Sequence, residues 1–354
     1  MSVSTPIEPA HAARAAAGRP GARQAHWTVG AERLLLAAAS SRGPNHPDNE
    51  DAHSPIDQPT RLLVVADGVG SGALASLASS ALVERLHQSL ADHAETEADA
   101  HTDADADADA SADAIRDAVL DADRVVQARL AERTSMPGAA TLALCLRGRS
   151  PARWSIAWVG DCRVYRLPAP HAADAMAQAL TRDDSYANLG EPMPAGGSPD
   201  DPARMVGNGA VFEPNVAQAD LDRGEGLLLC SDGLHRHVSA EAIGAAFARH
   251  ASLAAACDAL VAQAREHGSR DDITVLALRR SAGRDDGVQQ PASGGPSTAE
   301  RTTRQRAGGR WLLWLVVAML LLAIGVALAW WLTRQRDEPA PAPDPAPPSV
   351  RIER

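Results

Sequence analysis

Four acidic clusters in this chain have the residue types and placement for divalent-cation chemistry. They are Asn49-Glu50-Asp51, Asp67-Gly68, Ser231-Asp232-Gly233 and Gly268-Ser269-Arg270-Asp271-Asp272. Each lies at a strand end or turn, and a single Asp-Gly after a strand is commonly no more than a turn. Several carboxylates delivered by turns are different, because together they can point at one spot. Hard cations such as Mg2+ and Mn2+ take oxygen ligands, and a two-ion centre needs a handful of carboxylates with some of them shared. No His/Cys set competes. Cys145, Cys162, Cys230 and Cys257 are widely spaced without a C-x-x-C pair, as buried core thiols would be. The glycine-rich Gly68-Val69-Gly70-Ser71-Gly72 is followed by no Gly-Lys-Ser/Thr, which excludes a P-loop.

The elements that must position these clusters alternate along residues 34–280. Short apolar runs predict strands over 62–66, 141–146, 154–159, 227–230 and 273–278. Helices are expected over 73–93, 112–133, 240–250 and 253–267. The second carries Ile115, Val119, Val126 and Leu130 at helical spacing, giving one face that can be buried. The domain expected from this pattern spans 28–280. It carries an Asp/Ala-rich insertion at 95–113, read as low-complexity chain lengthening the link between the first two helices. A Pro-, Gly- and Asp-rich stretch from 190 to 201 has the composition of a surface flap.

Outside the domain, residues 1–27 are expected to be a disordered leader, because Pro6, Pro9, Gly18 and Pro20 interrupt any helix and no apolar signal-peptide run is present. Residues 281–310 have linker composition. Residues 311–332 are expected to form a transmembrane helix. The stretch 311–331 carries no charge and as a helix spans ~31 Å, with Trp311, Trp314, Trp330 and Trp331 at its two ends. Arg301, Arg304, Arg306 and Arg310 flank it on one side. On the other, Arg334 and Arg336 adjoin Asp337 and Glu338, so the positive-inside rule leaves the large domain cytoplasmic and the Pro-rich tail 333–354 outside. The chain has 354 residues and a net charge of −11, but the charge is local. Nine acidic residues and no Arg lie between 92 and 113, so the remainder carries about −2. No basic, aromatic-interleaved surface is present, which argues against a nucleic-acid partner.

The order and wording of the clusters resemble the metal-dependent serine/threonine protein phosphatases of type 2C. The motifs that carry the likeness are Asn49-Glu50-Asp51-Ala52, Val65-Ala66-Asp67-Gly68-Val69-Gly70, residues 138–142, Trp158-Val159-Gly160-Asp161-Cys162-Arg163, Leu180-Thr181-Arg182-Asp183, Leu229-Cys230-Ser231-Asp232-Gly233-Leu234 and residues 269–274. The resemblance implies an α+β fold, a β-sandwich of two antiparallel sheets flanked by helices, with the metal site at one end. It implies Mn2+ or Mg2+ as cofactor, two ions held by Asp51, Asp67, Gly68 through its carbonyl, Asp232 and Asp271, with a third, looser ion at Asp161. Glu50 would hold waters or a neighbouring ligand. The implied reaction is hydrolysis of phosphoserine or phosphothreonine on proteins by a water that two metals activate, with no covalent phosphoenzyme. Implied partners are phosphorylated proteins, including a serine/threonine kinase or its substrates, and the expected span 311–332 would place them at the cytoplasmic side of a bacterial inner membrane.

Several positions depart from the family pattern. An Arg that would grip the substrate phosphate is replaced by His46, so either His46 takes that role or Arg42 or another side chain does. Val69, Gly72 and Asp184 stand where a His is often found, which leaves the group protonating the leaving alkoxide unassigned. Two other readings use the same residues: a membrane-tethered binding module without turnover, and a hydrolase of small phosphoesters. Turnover of a phosphopeptide that stops on chelation separates both from the leading one.

Overall fold

A computed structural model describes residues 21–281, apart from 31, 71, 97–103, 134–137, 171, 173–175 and 210–212. These residues belong to one compact unit. The expected transmembrane segment 311–332, its linker and its tail lie outside the described residues. Among the described residues, no helix is long and apolar enough to cross a membrane.

Among the described residues, eleven strands form two antiparallel sheets. In chain order they are β1 (Arg23–Val29), β2 (Glu32–Ser41), β3 (Asp51–His53), β4 (Leu62–Val69), β5 (Ala139–Arg147), β6 (Arg153–Val159), β7 (Arg163–Leu167), β8 (Gln178–Ala179), β9 (Asn215–Asp220), β10 (Gly226–Cys230) and β11 (Ile273–Arg280). One sheet has the order β1-β2-β11-β10-β7-β8, the other β3-β4-β5-β6-β9. Helices α1 (Ala73–Thr96) and α2 (Ala104–Ala131) cover the outer face of the second sheet. α5 (Ala240–Arg249) and α6 (Leu253–Glu266) cover the outer face of the first, and α3 (Tyr186–Leu189) and α4 (Asp232–His235) are single turns.

The apolar runs are continuous because both faces of the central strands are buried. In β4, Leu63 and Val65 pack between the sheets, whereas Leu62, Val64 and Ala66 pack under α1 and α2. In β10, Leu227 and Leu229 face inward while Leu228 and Cys230 meet α5 and α6. A strand's side chains alternate with period two, so this register decides which way the polar residues at strand ends point. Asp67, two positions beyond Val65, lies on the inner face. Ser231, beyond Leu229, follows the same alternation.

Two sequence boundaries are corrected. The leader was expected to run to residue 27, but β1 begins at Arg23 and pairs along its whole length with β2. Trp27 is fully buried, and its indole N–H donates to the Ile56 carbonyl at 2.9 Å. One aromatic among polar neighbours carries no periodic signal, and its partner strand makes it an element. The insertion 95–113 was expected to be irregular, yet α1 runs to Thr96 and α2 already begins at Ala104, inside the Asp/Ala repeat. Ala has the highest helix propensity, and the helix is anchored further along by buried Ile115, Val119, Val126 and Leu130.

Candidate active site

The sequence-selected carboxylates converge at one end of the sandwich. β3 and β4 are antiparallel, and their register sets Asp51 directly opposite Asp67. β4 turns into α1 here, and Gly68 lies at the crossing. A Cβ at Gly68 would collide with the Ala75 carbonyl and stand 2.8 Å from the Glu50 carbonyl, so the backbone approaches where no side chain fits. The Gly68 amide donates to that same Glu50 carbonyl at 3.1 Å.

Asp232 arrives from the first sheet as the first residue of α4, directly after β10. The preceding Ser231 would ordinarily cap this turn, but its side chain makes no cap bond. Its hydroxyl instead donates to Asp51 Oδ2 at 2.8 Å and accepts from the Thr274 amide at 2.9 Å. Ser231 therefore joins the two sheets at the site. Losing it would leave a buried amide unsatisfied, which costs about 1–3 kcal/mol.

Asp271 and Asp272 precede β11. Asp272 is buried, and its carboxylate accepts from the Gly43 amide and from the Glu50 amide, each at 2.5 Å. It fastens the loop before β3 to the strand that follows the acidic pair. Arg265 supports the same region from α6, donating to the carbonyls of Ser41, Arg42 and Ser269. Asp161 is buried in the turn before β7, where Gly160 takes φ +87 and a Cβ would meet Thr141 at 2.6 Å.

Electrostatics mark this cluster as crowded. Burial, then the charges of neighbouring carboxylates, pushes Asp51 and Asp67 well above the usual carboxylate range. Burial raises Asp232 as well, against the pull of Arg236. Asp161 is pushed up to about 7 by burial and by Asp232, again opposed by Arg236. Glu50 is raised, chiefly by burial. Buried like charges disfavour ionisation unless a cation compensates them.

Among the described residues, no three His, Cys, Asp or Glu side chains already stand in metal-holding geometry. The donor set nonetheless fits hard divalent cations. It is all oxygen, and buried Asp51 Oδ1 and Asp232 Oδ1 have no hydrogen-bond partner. Asp51, Asp67, the Gly68 carbonyl, Asp232 and Asp271 are the groups that would hold such ions.

His46 lies at the edge of the cluster, its Nδ1 3.2 Å from Asp272 Oδ2 at an angle short of a hydrogen bond. Burial pulls its pKa down, but Asp272, Glu50 and Asp271 outweigh burial and leave it raised. The Arg42 guanidinium is turned onto the His46 and Gly43 carbonyls. The four cysteines are buried free thiols, as their spacing implied. Sequence reasoning gave no role to Ser231, Asp272, Thr274 or Arg236. For Ser231 and Asp272 the available signal was adjacency to a selected Asp. For Arg236 it was an i,i+4 spacing from Asp232.

A carboxylate cluster at the end of two helix-covered antiparallel sheets defines a metal-dependent phosphohydrolase of the sandwich type. The model of the protein phosphatase 2C family matches residues 41–275, and the chain belongs to that family as a serine/threonine protein phosphatase. Comparison with curated protein sequences gives no match. Among solved structures, the serine/threonine phosphatase PstP/Ppp of Mycobacterium tuberculosis is similar at 25% identity and TM-score 0.55, covering 70% of this chain and 98% of its own. The PstP catalytic domain in complex with 2 manganese ions gives the same identity, coverage and TM-score. PppA of Pseudomonas aeruginosa, described as a key regulatory component of T6SS, is similar at 28% identity and TM-score 0.55, covering 70% and 97%.

Proposed function

We propose that this chain hydrolyses phosphoserine and phosphothreonine on proteins with two Mn2+ or Mg2+ ions, at the cytoplasmic face of a bacterial inner membrane. The carrying observation is the convergence of buried Asp51, Asp161 and Asp232, partly buried Asp67 and exposed Asp271 in one cluster, with Asp51 Oδ1 and Asp232 Oδ1 unpartnered. When bound, divalent ions there supply Lewis-acid charge to the phosphoryl group and bring the pKa of water toward ~7.

The chain's own residues supply position. Ser231 fixes the orientation of Asp51 through one oxygen and leaves the other free. Asp272 sets the Glu50 backbone relative to the Gly43 loop. His46, half-buried beside Asp272, presents a cationic imidazole to an incoming phosphate when protonated. Arg42 is the weaker candidate for that role, because its guanidinium is spent on backbone carbonyls.

Membrane attachment is proposed from the uncharged stretch 311–331 and its Arg-rich N-terminal flank, with a single span and the tail 333–354 outside. A catalytic domain held there would act on phosphoproteins near the membrane, including a serine/threonine kinase or its substrates. The test uses the full chain in detergent with a phosphothreonine peptide. Phosphate release should require added Mn2+ or Mg2+ and stop with excess chelator. Full turnover in chelator would sink the metal reading. Protease added to intact cells should trim only the tail, and digestion of the large domain would reverse the topology.

A further inference from the structure

Arg236 closes the single turn of α4, four residues after Asp232, so its side chain folds back over that carboxylate. Its Nε stands 3.0 Å from Asp232 Oδ2. Its Nη2 stands 2.9 Å from Asp161 Oδ2, on a different element, and 3.2 Å from the carbonyl oxygen of Asp200. One guanidinium thus bridges two buried carboxylates and one backbone oxygen. The resemblance to the family implied a third ion at Asp161. The residues present do not fit it. A third ion there would draw on the oxygens that Arg236 already engages, and it would stand against a guanidinium that stays charged at every working pH.

Two consequences follow from the geometry. Two buried like charges, Asp161 and Asp232, come together from separate elements, and this repulsion needs a permanent counter-charge. The contact with Asp200 also reaches the Pro- and Gly-rich segment 190–201. That segment is otherwise fastened near its ends, by the Tyr186 and Ala187 amides to the Asp201 and Pro199 carbonyls, by the Glu191 amide to the Tyr186 carbonyl and by an Arg204–Glu191 ion pair at 3.6 Å. Arg236 thus joins this segment to the acidic cluster.

We propose that Arg236 is a built-in cation that takes the place of a third metal ion and tethers the segment 190–201 to the acidic cluster through Asp200. The inference rests on the two-cation reading and deepens it: the chain binds two divalent ions, and a side chain does the neutralising and positioning that a third would do. Arg236 is here a positioning residue, since it acts through Asp161, Asp232 and Asp200.

The test is the stoichiometry of Mn2+ binding to the full chain in detergent, by titration calorimetry and equilibrium dialysis. Wild type should bind two ions, and Asp161→Asn should leave that number unchanged. Arg236→Ala should gain a third, weaker ion, which the double variant Arg236→Ala/Asp161→Asn loses again. Cleavage at the exposed Glu191 should rise severalfold in Arg236→Ala at low Mn2+ and return toward wild type at high Mn2+. Arg236→Lys, which keeps the charge, should still bind two. A third ion in wild type that Asp161→Asn removes would overturn the inference while leaving the two-cation reading intact, and this arm needs no change at Arg236. An unchanged count in a folded Arg236→Ala would overturn it equally. Wild type that binds no Mn2+ at all would defeat the underlying reading as well.

Discussion

Asp51 and Asp67 stand directly opposite each other across β3 and β4, two carboxylates at one register position of an antiparallel pair. Opposite like charges oppose sheet pairing, and here Asp51 is buried and Asp67 partly buried. The arrangement costs stability and is held by the surrounding core, by Ser231 and by Thr274. Function and stability therefore pull in opposite directions at this position.

Asp67→Asn should separate the two. In chelator, removing one of the opposed charges should raise stability by about 1 kcal/mol, which in a domain of this size is a Tm increase of about 2–4 °C. With Mn2+ present, wild type should be the more stable, because the ion stabilises the carboxylates it binds. Activity should fall by about 10²-fold or more, since a ligand charge is lost. Melting in chelator and in Mn2+ reads the crossover; a variant less stable than wild type in both would count against the charge argument.

His46→Arg tests how the substrate phosphate is gripped. The His46 pKa is raised by Asp272, Glu50 and Asp271, yet the imidazole still loses its charge as pH rises through that value. An Arg stays charged and offers a two-pronged fork. KM for a phosphopeptide should therefore fall in the variant, most clearly above pH 7, with kcat changed less. A charge-assisted hydrogen bond contributes on the order of 1.5–3 kcal/mol, so the gain in KM can reach about tenfold. A KM that is the same for both proteins from pH 6 to 8.5 would leave His46 as scaffold.

Two histidines give the stability opposite pH slopes. His46 has a raised folded pKa, so its pairing contributes fully below the unfolded value near 6.5 and fades as pH rises through the folded one. His87 on α1 is pulled down to about 4 by burial. Ser54 Oγ accepts the Val64 amide and stands 2.8 Å from His87 Nε2, an arrangement that suits a neutral ring. For His87 the unfolded chain binds the proton more tightly, so stability is present above pH 6.5 and is lost as pH falls toward 4. The whole effect is at most about 3 kcal/mol. His87→Gln should flatten the acid limb of a Tm-versus-pH curve between 6.5 and 4. An equally steep limb in the variant would assign the acid sensitivity elsewhere.

The N-terminal boundary is testable by truncation. A chain beginning at residue 21 should melt like the full protein, because β1 and the bond from the Ala22 amide to Asp258 Oδ1 remain. A chain beginning at residue 28 loses Trp27, and removing a buried Trp side chain alone costs about 3–5 kcal/mol. Equal melting temperatures for the two truncations would return residues 23–27 to the leader.

The sequence by itself determined five of the eleven described strands (β4, β5, β6, β10 and β11), the four long helices and the candidate acidic cluster, and it gave no sign of β1, β2, β3, β7, β8, β9, α3 or α4. Each of these rests on local signals, such as apolar runs of strand length, helical spacing at Ile115 to Leu130, and Asp-Gly turns after strands. The resemblance supplied the two-sheet arrangement, and the sheets have the antiparallel order it implied. Local pattern misjudged residues 23–27 and 104–113, where the deciding interactions come from another part of the chain. β1 is a strand because β2 lies beside it and Trp27 reaches Ile56. The Asp/Ala repeat is helical in the company of a helix whose later turns pack against the sheet. The links that organise the site were illegible for the same reason. Ser231 meets Asp51 across 180 residues, Asp272 meets Gly43 across 229, and Arg236 meets Asp161 across 75. A carboxylate's type is written at its own position, but which oxygen is satisfied, which is left free and which faces a guanidinium depends on groups brought close only when the two sheets pack.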